Sequence, residues 1–265
     1  GTGGHLQLAA DGKMWFGGAY FDIRKWDETG DAKASAFRFT NTVIDTNGNG
    51  KADLPAVSSK EPMDPKRDWE RAAGGYGLVP NRLDGSVWYS ILGIPGAITR
   101  LDPKTNLLEV YEPPYNNPKA KVQGFSPRGM DVDSKGVVWT PLSSGAYASF
   151  DRSKCKAKLN GPEAAKGQHC PEGWTIYNFP GPNYKGAFDN GSADSAYYNF
   201  VDQFDMLGMG KDVPLATGNL SEGLLVLDKE SGKFLTLRVP YPMGYYAKGL
   251  DGRIDNPNGG WKGKG

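Results

Sequence analysis

The feature that most constrains this chain is a repeat. Aligned on Gly-x-x-Trp, three segments coincide: Asp11-Gly12-Lys13-Met14-Trp15, Asp84-Gly85-Ser86-Val87-Trp88 and Lys135-Gly136-Val137-Val138-Trp139. Internal similarity of this kind limits the fold before any single motif does. A second landmark, an apolar residue followed by aspartate, comes at nearly constant distance. Asp27 lies 12 residues after Trp15, Asp102 lies 14 after Trp88 and Asp151 lies 12 after Trp139. A third is a polar turn leading into an alternating strand that ends near proline, as in Asp102-Pro103-Lys104-Thr105-Asn106 before Leu108-Glu109-Val110-Tyr111-Glu112-Pro113. Trp174-Thr175-Ile176-Tyr177-Asn178-Phe179-Pro180 repeats that ending. A fourth copy lacks the tryptophan but keeps Gly223-Leu224-Leu225-Val226-Leu227-Asp228, Ser231-Gly232 and Phe234 to Pro240.

Each unit reads as strand, Asp-Gly turn, strand ending in Trp, loop, strand ending in Asp, turn, strand. Alternation such as Ala97-Ile98-Thr99-Arg100-Leu101 suits a strand with two unlike faces. One small sheet cannot bury both faces alone, and radial packing about an axis solves this; stacked hairpins in a sandwich are the alternative. The expected fold is therefore an all-β propeller of four-stranded antiparallel blades, one domain over residues 1–265. The tryptophan spacings of 73 and 51 place long insertions at about 32–71 and 183–212. Three or four visible repeats make an incomplete ring, unless degenerate stretches supply further sheets.

Composition agrees. The chain has 37 Gly and 19 Pro for turns and 12% aromatic residues for pleated surfaces. Lys and Arg number 31 against 30 Asp and Glu, so no field gathers a polyanion and nucleic acid is not an expected partner. No apolar stretch approaches the length of a membrane helix, and no signal peptide opens the chain. Both ends, Gly1-Thr2-Gly3-Gly4 and Gly263-Lys264-Gly265, read as continuing sequence. Cys155 and Cys170 bracket a polar segment; a disulfide there implies an oxidising compartment, periplasmic or extracellular. Two free thiols are the alternative, and a metal pair with His169 lacks two further ligands.

The segments from Ser126 to Thr140 and from Gly96 to Thr105 resemble the blades of streptogramin lyase-like (virginiamycin B lyase-like) propellers, and more distantly gluconolactonase-like and NHL-type propellers. Such blades cover about half the chain and specify fold rather than activity. The resemblance implies a histidine and glutamate constellation around a divalent cation. This sequence has only His5 and His169, so none of the lyase's catalytic positions carries across.

The sharpest local motif is Asp45-Thr46-Asn47-Gly48-Asn49-Gly50-Lys51-Ala52-Asp53. Oxygen donors at relative positions 1, 3, 5 and 9, with Gly at 6 and a carbonyl at 7, match the front of a Ca²⁺ loop. Asp45, Asn47, Asn49, the Lys51 carbonyl and Asp53 are the candidate ligands; a plain Asn-Gly turn cluster is the alternative. Ala56 stands where a calcium loop carries Glu, so two carboxylates give modest affinity unless a residue outside the loop contributes. The ion's expected role is to order the insertion.

His5, Asn81, Arg128 and Lys248 lie just before the respective innermost strands, with a register that differs between repeats, and Glu222 lies at the comparable end of the fourth repeat. Such a ring holds an anionic ligand or simply orders water, and Glu222 is a metal ligand, a general base or a solvated loop residue. The run Tyr197-Tyr198-Asn199-Phe200-Val201-Asp202-Gln203-Phe204 is a partner patch if exposed and a strand or packing helix if buried. The sequence thus points to an exported propeller that binds a ligand or docks on an assembly without a catalytic set. The alternative is a metal-dependent lyase or lactonase-like hydrolase.

Overall fold

The computed structural model describes residues 6–16, 41–71, 75–118, 120, 122–181, 192 and 194–247, with the backbone alone of 19–22 and 36–38. Four antiparallel blades follow one another along the chain. Blade 1 comprises β1 (Gln7–Leu8), β2 (Lys13–Phe16), β3 (Ala19–Asp22) and β4 (Ala36–Arg38). After β5 (Val43–Ile44) and β6 (Trp69–Glu70), blade 2 runs through β7 (Leu78–Pro80), β8 (Val87–Ile91), β9 (Ala97–Asp102) and β10 (Leu107–Tyr111). Blade 3 holds β11 (Asp131–Val132), β12 (Val138–Leu142), β13 (Ala146–Phe150) and β14 (Trp174–Asn178); blade 4 holds β15 (Asn199–Asp202), β16 (Val213–Gly218), β17 (Gly223–Asp228) and β18 (Lys233–Arg238). One helical turn, α1 (Pro162–Ala165), lies between β13 and β14. Consecutive blades pack on one another and the ring is not closed.

The repeat landmarks explain this order. An Asp-Gly turn in blades 1 and 2, and a Lys-Gly turn in blade 3, joins the first and second strands, with Gly12, Gly85 and Gly136 all at positive φ (82°, 74° and 84°), a region glycine enters without a Cβ clash. The tryptophan follows three residues later and lies within the second strand rather than ending it, as the third residue of β2 and the second of β8 and β12. In register, Trp15 pairs with Gln7, Trp88 with Val79 and Trp139 with Asp131. Pro214 takes that position in blade 4, paired with Val201.

Each tryptophan fills the seam to the following blade. Trp15 clusters with Leu78, Val87 and Tyr89; Trp88 with Met130, Val132 and Phe150; Trp139 with Ala196, Val201 and Leu225. Polar groups cross the seams too. The Val201 N–H donates to Asp131 Oδ2 (2.8 Å), and Ser134 donates to Asp212 through its N–H and its hydroxyl (2.8 and 2.6 Å). At the open end of the arc the outer strand β18 leaves Leu235 and Leu237 49% and 42% exposed.

Two stretches read as insertions carry sheet. Blade 2 has six strands, because β5 pairs in parallel with β10 (Val43 with Leu107, Ile44 with Leu108) and β6 pairs with β5. Burial of Val43 and Ile44 on the blade's outer edge is the physical reason. The stretch 183–212 contains β15, the innermost strand of blade 4. Tyr198, Phe200 and Val201 are buried there, which corrects the partner-patch alternative for this aromatic run. Cys155 and Cys170 form a disulfide with Cα atoms 5.0 Å apart, so neither is a free thiol or a metal ligand.

Candidate functional site

The residue that leads into each innermost strand lies at one end of the blades, together with the turns between second and third strands. Arg128, before β11, is gripped through its backbone from both neighbouring blades. Its carbonyl accepts from the Ser90 hydroxyl of blade 2, and the adjacent Gly129 N–H donates to the Tyr197 carbonyl of blade 4 (2.8 Å). A side chain at Gly77 would meet the Arg128 carbonyl and the Gly129 Cα, and one at Gly129 would meet Tyr198. Glycine here permits the close approach of three blades.

Around the Arg128 side chain stands an aromatic collar. The guanidinium carbon is 4.7 Å from the Tyr197 ring centroid and 5.8 Å from that of Tyr76, within cation–π range. Tyr76 stacks on Tyr198 at 5.6 Å, and Tyr197 meets Tyr246 edge-on at 5.7 Å. Arg128 Nε donates to Ser143 Oγ at 2.8 Å. Its two terminal amino groups have no protein acceptor among the described residues. Burial, and then the neighbouring Tyr76, push the Tyr198 phenol up to about 12; the hydrogen bond with Tyr197 raises Tyr246. Among the described residues the tyrosines surround one cation, an arrangement suited to a planar oxyanion with an attached ring.

The sequence-derived ring is assembled only in part. Asn81 follows β7, so it sits at the opposite end of its strand from Arg128; it is 7% exposed, and its side chain accepts the Leu83 N–H (3.0 Å). Tyr76, not Asn81, is the blade 2 counterpart of Arg128. His5 and Lys248 lie outside the described residues. Glu222 is in the β16–β17 turn at φ 53°, on the same side as Arg128 but in a separate cleft of about 410 Å³ with Asp194, Ser221 and Arg238. Asp194 accepts the Ser195 and Leu220 N–H groups through Oδ1, while its buried Oδ2 has no partner. Tyr76 escaped sequence reading because Gly75-Tyr76-Gly77 looks like a turn.

The calcium-like loop lies on the outer edge of blade 2, beside β5. Asp45 accepts the Gly48, Asn49 and Gly50 N–H groups (2.8, 3.0 and 2.8 Å), and Asp53 Oδ2 accepts both the Asn47 and Asn49 amides (2.8 and 2.5 Å). The Lys51 N–H donates to Asn49 Oδ1 (2.8 Å). Among the described residues, no three His, Cys, Asp or Glu side chains form a preassembled metal group.

In overall fold the chain is similar to streptogramin lyase-like propellers. Virginiamycin B lyase from Staphylococcus aureus matches at 14% identity and a TM-score of 0.47, over 89% of this chain and 55% of that one. This chain therefore spans little more than half of the lyase's length. The extracellular domain of a proposed hybrid two-component system from Bacteroides thetaiotaomicron matches at 13% identity and a TM-score of 0.48, over 88% and 24%. An auxiliary nutrient binding protein from B. thetaiotaomicron matches at 11% and 0.35, over 89% and 57%. No family model and no curated protein matches the chain. At such identities the likeness concerns fold alone and assigns no residue a role.

Proposed function

We propose that this is an exported propeller that binds a small anionic ligand, a carboxylate or phosphoryl group on a ring, at the collar around Arg128. The observation that carries this reading is a half-buried guanidinium whose terminal donors have no protein acceptor among the described residues and are flanked by tyrosine faces. Two parallel N–H···O bonds to a planar oxyanion are what such a group makes best. Tyrosine faces give the ligand's ring a platform at low entropic cost. The disulfide fits an oxidising compartment, secreted or extracellular, and among the described residues no helix is long and apolar enough to cross a membrane.

The test is calorimetric titration with benzoate and with phenyl phosphate, which separates the two oxyanion sources. Wild-type protein binds at least one of them, and Arg128→Met abolishes the heat while the fold survives. Equal binding by Arg128→Met would rule the collar out. A second reading, hydrolase or lyase chemistry, rests on Asp194 and Glu222 sharing the neighbouring cleft. Turnover of a lactone or depsipeptide that Glu222→Gln removes, with Arg128→Met active, would favour it.

A further inference from the structure

Asp68 lies outside the calcium-like motif, immediately before β6, yet its carboxylate reaches the loop. It is 1% exposed. Its Oδ2 accepts the Asp53 N–H at 2.8 Å, while its buried Oδ1 has no hydrogen-bond partner among the described residues. Asp45 is also buried, at 3%. No Lys or Arg among the described residues forms an ion pair with Asp45, Asp53 or Asp68.

Asp45 and Asp68, both buried and without a counter-ion among the described residues, are costly, since a charge there is poorly solvated. The donors that now face Asp53 are neutral amides of Asn47 and Asn49, which offset little of that charge. A hard cation with oxygen ligands removes the cost, and Ca²⁺ accepts six to eight oxygens in flexible geometry. The motif lacks the carboxylate expected at its twelfth position, where Ala56 stands. Antiparallel β6 returns the chain past the loop and delivers a carboxylate from 15 residues beyond Asp53. We infer that Asp68 completes a Ca²⁺ site with Asp45, Asn47, Asn49, the Lys51 carbonyl and Asp53.

The site is also a fastening point. The Asn160 amide donates to Asp45 Oδ2 (2.9 Å) and the Gly161 N–H to the Asp45 carbonyl (2.7 Å). Both donors belong to the segment closed by Cys155–Cys170. Ion binding therefore ties the insertion on blade 2 to the disulfide-bonded segment of blade 3. This inference is independent of the collar around Arg128.

The experiment is calorimetric titration of chelator-stripped protein with CaCl₂, paired with melting curves in EDTA and in Ca²⁺, for wild type, Asp68→Asn and Asp64→Asn. Wild type and Asp64→Asn bind one Ca²⁺ with Kd on the order of 10⁻⁴ M, and Asp68→Asn binds roughly tenfold more weakly or not at all. In EDTA, Asp68→Asn melts no lower than wild type, because a poorly solvated carboxylate has gone; in Ca²⁺ it melts lower. Absence of binding by wild type up to about 10 mM Ca²⁺ overturns the inference. So does unchanged affinity in Asp68→Asn, or its destabilisation in EDTA, which marks a purely structural residue.

Discussion

Two tryptophans at the same register position give a test of how the blades are held together. Trp88 and Trp139 are both buried, at 2% and 3% exposure, and each fills a seam between blades. Replacing either with Phe removes a similar volume and a similar apolar area, so the packing losses nearly cancel when the two variants are compared. Their indole N–H groups differ. Trp139 Nε1 donates to Asp133 Oδ2 at 3.2 Å, whereas the buried Trp88 Nε1 has no partner among the described residues. Trp139→Phe strips a buried carboxylate of a hydrogen bond worth about 1.5–3 kcal/mol, while Trp88→Phe relieves an unsatisfied donor that costs about 1–3 kcal/mol. Trp139→Phe should therefore be the more destabilising by at least about 2 kcal/mol. Urea unfolding followed by far-ultraviolet circular dichroism, with midpoints compared at equal slope, measures the difference. Equal losses, or a larger loss in Trp88→Phe, would refute the reasoning.

Other consequences are as direct. Burial holds the His169 imidazole below its ordinary value against the pull of Glu109 and Glu172, so its folded pKa lies under its unfolded one. Stability from the neutral ring is fully present above about pH 6.5 and is lost as pH falls from the unfolded value through the lower folded one. His169→Phe keeps a ring against Tyr111, stacked at 5.1 Å in the wild type, and should lose less melting temperature than wild type between pH 7.5 and 5.5; identical losses would contradict this. Replacing both Cys155 and Cys170 with Ala should cost about 3 kcal/mol in chemical unfolding, from a loop closed over 15 residues; a loss below about 1 kcal/mol would show that the unfolded segment is already ordered.

Most strands were legible because a blade is a local object. Its turns need positive φ at fixed places, and Asp-Gly and Ser-Gly announce them ahead of Trp15, Trp88 and Phe234. Pairings between distant segments carry no such mark. Val43-Ile44 is too short to show a period, so its parallel pairing with β10 was hidden in what reads as an insertion. The strand β15 was masked because a ten-residue connection separates it from β16, and Asp212, not an Asp-Gly pair, takes the left-handed conformation just before β16 at φ 60°. At the site, Arg128 stood out as a charge before a strand, but the tyrosines that enclose it look like core or turn residues. Asn81 was misplaced because the start and end of a three-residue strand are hard to tell apart from pattern. Asp68 lies in a Pro- and charge-rich stretch with nothing to link it to Asp45 until β6 turns back on β5.

The central claim, that the collar around Arg128 is a ligand site, is tested most directly by a crystal structure of the protein soaked with 4-iodobenzoate, using the anomalous signal of iodine. An iodine peak between the Tyr76 and Tyr197 rings, with the carboxylate on the terminal amino groups of Arg128, is the predicted result. Iodine bound only elsewhere, or none at a concentration that gives binding heat in solution, would contradict it.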